Sequence, residues 1–346
     1  MTATLTPPSR IHGSSPISRQ PATPSSATKR HSPSKLRSLL SMRELPVIAA
    51  LIALVLLTWT INPRFLSAQG VRDLFLNATI AMLMAAGQSL IIQSEGVDLS
   101  VGSILGCTAF ATGFLFATNP GLPIGVVFVA GIVLGALLGA LNGLLVTQAK
   151  VFRGGLNWWA GSTQYFAGDR PQAFGDLGVA TIAGFPLLTL LAVIVIVIVS
   201  LYQRYARSGR DLYAIGSDRA AAAVYGIPVA KRVFAAFVAN GALVGLGGVL
   251  YASRFNSVGA TTGAGMELDI VAACVVGGVA MTGGVGTAYG AAIGALLLTT
   301  MTSALTAVGV DKFWQKAVVG ALILIAIVVD RVSSMRRHEA LRKKGG

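Results

Sequence analysis

Between two long apolar stretches stands the sequence Gly216-Ser-Asp-Arg-Ala-Ala-Ala-Ala-Val-Tyr-Gly226-Ile-Pro228, the centre of a polar, basic interruption over residues 203–232. It predicts one short helix with both ends marked. Ser217 is a good N-cap, Asp218 favours the positive helix start, and Gly226 supplies a left-handed residue that ends the helix. A short capped helix between apolar stretches predicts a docking element for a soluble partner.

The composition predicts an all-α membrane protein. Hydrophobic residues make up 54% of the chain and charged residues 12%, and the mean hydropathy is +0.72. The apolar residues come in runs rather than on alternating faces, which is typical of membrane spans. These features exclude a soluble globular domain.

The positive charge lies outside the apolar runs. Of the 27 Lys and Arg residues, seven precede Pro46, six lie in residues 204–232 and six follow Asp330. The positive-inside rule predicts that these three segments are cytoplasmic. A net charge of +14 would suggest nucleic acid in a soluble protein, but orientation and anionic lipid already explain it here. We therefore expect no nucleic-acid partner.

The composition of the two tails and the positions of the histidines and cysteines argue against catalytic and metal-binding functions. Residues 1–45 are rich in Ser, Pro and Thr and predict a disordered cytoplasmic tail, and residues 331–346 predict a second basic one. The three histidines lie in these tails, and the two cysteines lie separately in apolar runs, so no catalytic or metal site is predicted. Because GxxxxGK[ST] is also missing, we expect no cofactor and no nucleotide-binding site on this chain.

Residues 46–330 are predicted to form the membrane domain, because a span needs about 20 apolar residues. Seven runs qualify and two are weaker. The seven are Pro46–Ile61, Leu74–Ile92, Val101–Thr118, Leu122–Thr147, Val179–Tyr202, Val233–Ala252 and Ala288–Val308. The weaker two are Met266–Met281, which could be re-entrant, and Phe313–Val329.

Counting crossings indicates that one span is missing. Five runs precede Gln203, which would put the N-terminal tail and the central basic loop on opposite sides of the membrane. The missing crossing is predicted near residues 150–165, where residues 154–161 are too short to span alone. Trp158, Trp159, Tyr165 and Phe166 suit the end of such a shortened span. We therefore expect about nine to ten spans.

Small and polar residues within the runs indicate packing and a path. Gly131, Gly135, Gly139 and Gly143 form a stripe that lets helices approach closely, and two shorter stripes repeat it at Gly241 with Gly245 and Gly290 with Gly294. Polar residues near glycines predict broken helices that line a translocation path or, alternatively, acidic helix caps. The candidates are Asp98, Ser100, Ser103, Glu267 and Asp269.

Four motifs in order resemble the permease subunits of bacterial sugar ABC importers of the ribose, xylose and rhamnose type. They are Gly96-Val-Asp-Leu-Ser-Val-Gly-Ser103, Tyr213-Ala-Ile-Gly-Ser-Asp-Arg-Ala-Ala-Ala222, Gly226-Ile-Pro-Val229 and Gly265-Met-Glu-Leu-Asp-Ile-Val-Ala-Ala273. The resemblance covers nearly everything from Pro46 to Asp330. It implies a multi-pass protein of the bacterial inner membrane with an importer-permease fold.

The same resemblance implies three protein partners. They are a cytosolic ATPase that consumes the ATP, a periplasmic or extracellular sugar-binding protein and a second permease copy or paralogue. Residues 203–232 resemble the ATPase-coupling loop, which by resemblance includes Gly216, Ser217, Asp218, Arg219, Ala222, Gly226 and Ile227.

One departure from the family pattern falls after Lys150, where roughly a dozen residues are absent, enough for half a crossing. Either the chain is a deleted, inactive copy, or the remaining residues rearrange to complete the span. A secondary transporter or channel is the alternative function. It would need ionisable groups inside the spans, and few are present.

Overall fold

The computed structural model describes residues 44–145, 162–255, 257–311, 313–321 and 324, which form a bundle of helices with two small β-ladders. The helices are α1 Leu45–Ile61, α2 Ala68–Gln93, α3 Val101–Thr118, α4 Ile124–Leu145, α5 Gln172–Val179, α6 Leu187–Tyr205, α7 Arg207–Ser217, α8 Arg219–Val224, α9 Val229–Arg254, α10 Met266–Val276 and α11 Ala288–Ala307, and residues 313–321 are also helical. The strands are β1 Gln164–Phe166, β2 Thr181–Ile182, β3 Phe185–Pro186 and β4 Ser257–Gly259. Strands β1 and β4 pair antiparallel, as do β2 and β3.

Six of the described helices are long and apolar enough to cross a membrane, namely α2, α3, α4, α6, α9 and α11. Helix α1 is apolar but shorter. The helical membrane class is therefore confirmed, whereas nine to ten spans are not. The predicted span from Val179 was wrong at its start, because residues 181–186 form the β2–β3 hairpin and α6 begins at Leu187. Trp158, Trp159 and most of the predicted short span lie outside the described residues.

Helix α2 occupies the centre of the bundle. Nearly every residue from Ala78 to Gln93 is buried, and α2 packs against α6, α9, α10 and α11. Helix α4, by contrast, buries mainly its glycine stripe and leaves Val129, Leu137 and Leu144 exposed. This pattern is expected of a helix that faces lipid on one side and a partner helix on the other.

The described residues just before and just after positions 146–161 lie at opposite ends of α3. Asn142, near the end of α4, contacts Ser100 at the start of α3. Tyr165 of β1 packs instead against Phe110 and Phe114 towards the end of α3. The chain therefore changes ends of the bundle between Leu145 and Gln164, which is the interval in which the crossing count placed a missing span.

Glycine stripes bring the backbones of α4 and α9 into direct contact. A Cβ added at Gly135 would overlap the carbonyl oxygen of Gly241, and one at Gly139 would overlap that of Phe237. The same holds between α10 and α11, where a Cβ at Gly294 would overlap the carbonyl of Ala273. The predicted role of the stripes in close helix packing is confirmed.

Irregular backbone surrounds α10 on both sides. Residues 257–265, which precede α10 in the chain, run alongside α3. Strand β4 lies beside the end of α3, and the Gly263 backbone contacts Gly102 near the start of α3. Gly263 and Gly265 have φ of 78° and 88°, and Gly278 after α10 has φ of 88°. An 11-residue helix of about 16 Å is too short to span the hydrocarbon, so α10 is the helical half of a broken element.

Replacing Gly135 by Ala should destabilise the bundle, because its methyl group would force α4 away from Gly241. Overpacking of this kind costs about 1–3 kcal/mol. Thermal unfolding of the purified protein in detergent should show a lower midpoint for Gly135→Ala. Gly125→Ala on the same helix is the matched control, since nothing lies within 4 Å of its added Cβ. Equal midpoints for the two variants would contradict the close contact of α4 and α9.

Candidate functional site

The central basic loop folds as a helical hairpin, α7 followed by the six-residue α8. Asp218 is the N-cap of α8 and accepts a hydrogen bond from the Ala221 amide at 2.9 Å. The prediction of Ser217 as N-cap was wrong, because its hydroxyl donates back to the Tyr213 carbonyl and Ser217 ends α7. Gly226 does adopt the predicted left-handed conformation, with φ of 79°.

The C-terminal end of α8 presents two large side chains to solvent, one on its last residue and one on its C-cap. Val224 and Tyr225 are each 86% exposed, whereas Ala222 on the other side of the helix is buried. Ser217, Asp218, Arg219 and Gly226 are exposed, Ile227 is half-buried and Gly216 is buried. Most of the predicted coupling residues are therefore accessible to a partner, and Gly216 and Ala222 support the hairpin from within. Exposed apolar residues on a polar loop are typical of an interaction surface.

Gly216 fixes the hairpin to the end of α2 and to the loop between α10 and α11. A Cβ at Gly216 would overlap the carbonyl oxygen of Gln93, and it would also crowd the Gly284 amide. That amide donates to the same Gln93 carbonyl at 2.9 Å. Three segments therefore meet backbone to backbone at Gly216, Gln93 and Gly284, which we call the backbone junction.

Side chains reinforce the backbone junction. The Tyr213 hydroxyl donates to the Gly286 carbonyl at 2.8 Å, and the Gln93 amide nitrogen donates to the same carbonyl at 3.1 Å. Burial raises the pKa of the Tyr213 hydroxyl to about 12, so this donor keeps its proton at physiological pH. The hairpin is thus tied to the α10–α11 loop by both backbone packing and hydrogen bonds.

Gln203 at the end of α6 joins the same end of the bundle. Its amide nitrogen donates to Ser89 and Gln93 of α2, at 3.1 and 3.0 Å. Its oxygen accepts from the Ala288 amide at 2.8 Å, which satisfies one free donor at the start of α11. This end of the bundle, where α7 and α8 lie, is called the loop end below.

A buried polar cluster surrounds Asp98, which is 4% exposed. One carboxylate oxygen accepts from the Ser100 amide at 2.8 Å and from the Ser100 hydroxyl at 2.5 Å. The other accepts from Asn240 of α9 at 3.1 Å, and Asn142 of α4 bonds to Ser100. These bonds hold the irregular residues 94–100, which include Glu95 at φ 65°, against α4 and α9.

The other predicted path residues lie on α3 and α10, and the Glu267 carboxylate is close to Gly102 near the start of α3. Glu267 and Asp269 occupy the first turn of α10, and the Glu267 carboxylate accepts from the Gly265 amide at 3.1 Å. Ser103 is half-buried on α3. Asp269 borders a separate cavity with Asn77 of α2. Within the described ranges, no group of three or more His, Cys, Asp or Glu side chains is placed to hold a metal ion.

Similar known proteins identify the family of this chain. Residues 151–327 match the family described as branched-chain amino acid transport system / permease component. The autoinducer 2 import system permease protein LsrC of Enterobacter sp. (strain 638) is 32% identical over 322 residues, which cover 89% of this chain and 93% of the relative. The chain belongs to this permease family. Its resemblance to permease subunits of ABC importers is thereby confirmed, and so is its assignment as a transport component rather than an enzyme.

Two other relatives support the assignment of this permease. A probable ABC transporter permease protein of Sinorhizobium fredii (strain NBRC 101917 / NGR234) is 33% identical, over 85% of this chain and 91% of its own length. The ribose import permease protein RbsC of Escherichia coli (strain K12) is 30% identical, over 82% of this chain and 92% of its own length. No solved structure matches the permease significantly.

No sequence motif marks the amide residues that hold the permease together. Asn142, Asn240, Gln93 and Gln203 each lie in or next to an apolar run, where a polar side chain must find a partner inside the protein. That signal was available, but the partners depend on which helices are neighbours. The acidic residues were easier to single out because each stands in a glycine-rich motif.

Replacing Asp98 by Ala should strongly destabilise the permease, because the amide groups of Asn240 and Ser100 would lose their buried acceptor. A buried donor left without its acceptor costs about 1–3 kcal/mol. The apparent melting temperature in detergent and the yield in the membrane should both fall, and fall less for Asp98→Asn, which keeps one acceptor oxygen. An unchanged melting temperature for Asp98→Ala would contradict the structural role of this cluster.

Proposed function

We propose that this permease is the membrane subunit of an ATP-driven importer that translocates a monosaccharide or a similar polyhydroxylated solute. A binding protein outside the membrane delivers the solute, and a separate cytosolic ATPase supplies the energy. Family membership supports the transport role, and the relatives named for ribose and autoinducer 2 import support the solute class. The α7–α8 hairpin with its exposed apolar tip supports the ATPase partner.

We further propose a topology of ten spans, the upper end of the predicted nine to ten, with both termini and the loop end in the cytoplasm of an inner-membrane protein. The positive charge before Pro46, in residues 204–232 and after Asp330 supports this orientation. The change of bundle ends between Leu145 and Gln164 supports a crossing there. That crossing restores agreement between the count of spans and the charge.

Coupling would proceed through the backbone junction. The ATPase binds α8 and shifts the permease towards the state that best fits its own closed form. Because Gly216 packs on both Gln93 and Gly284, movement of the hairpin is passed to α2 and to the loop that follows α10. A second permease, of the same or a paralogous chain, completes the transporter across the membrane.

The path residues are proposed to have two roles. Glu267 and Asp269 lie on the short helix α10, where they border the solute path. Asp98 and Ser100 keep the irregular start of α3 in place, and Ser103 follows one turn later on the same helix. Asp98 is a positioning residue in this scheme, because its carboxylate is fully engaged.

Uptake by the reconstituted transporter tests the proposed function. Proteoliposomes that contain the permease, its cognate ATPase and its binding protein are supplied with ATP and radiolabelled ribose, xylose or rhamnose. We expect accumulation of at least one sugar that stops when the ATPase is omitted. Accumulation that continues without the ATPase would favour a secondary transporter, and no accumulation of any sugar would reject the proposed function or its solute class.

Two changes that flank α8 should uncouple the ATPase without affecting membrane insertion. Gly226→Pro cannot keep a φ of 79°, and Asp218→Lys removes the N-cap and places a positive charge at the positive helix end. Both variants should bind the ATPase at least tenfold more weakly in a pull-down and lose uptake, at wild-type amounts in the membrane. Normal uptake by both would eliminate α8 as the docking element.

Gly216→Ala should separate docking from transport. Its methyl group would push the hairpin off Gln93 and Gly284, while the exposed Val224 and Tyr225 remain in place. We expect ATPase binding within about twofold of wild type but uptake lowered at least tenfold. Ala214→Ser, on an exposed position of the same helix, is the control and should transport normally. Wild-type uptake by Gly216→Ala would show that the backbone junction is not needed for coupling.

A further inference from the structure

A cavity of about 170 Å³ lies between α2, α10, α11 and the helix at residues 313–321. Its polar lining comprises Asn77, Asp269, Thr299 and Thr302, and its apolar lining includes Ala81 and Leu298. Asn77 is exposed although it stands on the most buried helix of the bundle. Polar side chains within a membrane domain are placed towards protein or water, so we expect a cavity with four polar side chains to face one of these rather than lipid.

The donor and acceptor set of this cavity suits a small neutral solute with several hydroxyl groups. An amide, a carboxylate and two threonine hydroxyls offer both donors and acceptors. Two charged residues lie near enough to interact with Asp269: Lys316 opposes its charge and Glu267 adds to it. The apolar side chains of Ile270 and Leu298 provide a surface for the C–H groups of such a solute.

The same face of α2 carries a second amide deeper in the bundle. Gln88 stands seven residues after Ala81 and eleven after Asn77, which are the spacings of one helix face. Gln88 is completely buried, and neither its amide nitrogen nor its oxygen has a hydrogen-bond partner. An unsatisfied buried amide is rare in folded proteins and requires a reason for its presence.

Between the cavity and Gln88, small residues let the helices pack tightly against one another. The thiol of Cys274 on α10 donates to the Ala85 carbonyl of α2 at 3.4 Å. On the other side of α10, Gly294 of α11 packs against the Ala273 backbone. The tight fit of α10 at Ala273 and Cys274, called the seal, lies between the two polar positions.

We propose that the cavity is the outer binding site for a neutral polyhydroxylated solute and that Gln88 is the next hydrogen-bonding position on its path, closed off by the seal. This inference rests on the proposed function and assigns its path. Helix α10 can move as a unit because glycines with positive φ flank it at Gly265 and Gly278. Its C-terminal loop reaches the backbone junction through Gly284, so docking events at the loop end act directly on the seal.

Gln88→Met gives a sharp test because the side chains are similar in length but the thioether lacks amide hydrogen bonding. A purely structural Gln88 predicts an unchanged or higher melting temperature and normal uptake, since no native hydrogen bond is lost. We expect an unchanged or higher melting temperature together with uptake lowered at least tenfold. The probe is the radiolabelled sugar that the wild-type transporter accumulates from the panel of ribose, xylose and rhamnose.

Cys274 reports opening of the seal directly. Cys107→Ala leaves Cys274 as the single thiol of the chain, and Cys274 is completely buried. A small methanethiosulfonate reagent should modify it at least tenfold faster during ATP-driven sugar uptake than in the permease alone, as measured by intact mass. Unfolded protein gives the fully reactive reference.

Asp269 can be tested separately through the sugar dependence of uptake. Asp269→Asn should weaken uptake at low sugar concentrations more than at saturation.

The outcomes separate the two proposals. If the wild-type transporter accumulates sugar but Gln88→Met transports normally, or Cys274 stays unreactive during turnover, the assigned path is wrong and the proposed function stands. If the wild-type transporter accumulates none of the three sugars, the proposed function and the path fail together.

Discussion

The exclusion of water from the membrane core is the constraint on which the whole structure depends. A backbone amide or carbonyl without a partner costs several kcal/mol in hydrocarbon, so a segment that faces lipid has to be helical. Where the helix breaks, other groups must complete the bonding. Asp98 does so before α3, and Gln203 does so at the start of α11. These two buried polar groups therefore stabilise the irregular segments beside them.

Close backbone packing follows from the same constraint. In lipid, helices gain little from burying apolar side chains against one another. Their association therefore depends on van der Waals contact area and on close approach of the helix backbones. Gly135 and Gly241 bring α4 and α9 together in this way, and Gly294 does so for α11 and α10. Gly216 extends the device to the loop end, where it joins a docking hairpin to the central helix. Glycine therefore serves both the rigidity of the scaffold and the transmission of movement.

Much of this architecture could be predicted from the sequence because hydrophobic runs and glycine spacing are local signals. The runs fixed the cores of α2, α3, α9 and α11 to within a few residues. Ser217 was misassigned because two adjacent residues could each cap a helix, and only the end of α7 decides between them. The β2–β3 hairpin was hidden because Ile182 and Phe185 continue the apolar composition of the span that follows.

The cavity and the partners of Gln93 and Gln203 could not be predicted, because they depend on which helices are neighbours in space. The idea that one rigid connection carries movement from α8 to α10 is tested most directly by locking that connection. Ser217 and Gly284 are suitable, since a Cβ at Gly284 would lie 2.6 Å from the Ser217 hydroxyl. The Cβ of Gly284→Cys also crowds Gly216, so the uptake of the reduced double variant, and not that of the wild type, is the reference. Ser217→Cys combined with Gly284→Cys, in a chain lacking Cys107 and Cys274, should retain the ATP-driven uptake of its reduced form when it is oxidised to a disulfide. Loss of uptake on oxidation that a reductant restores would show that the hairpin and the α10–α11 loop must separate during transport, contrary to a rigid connection.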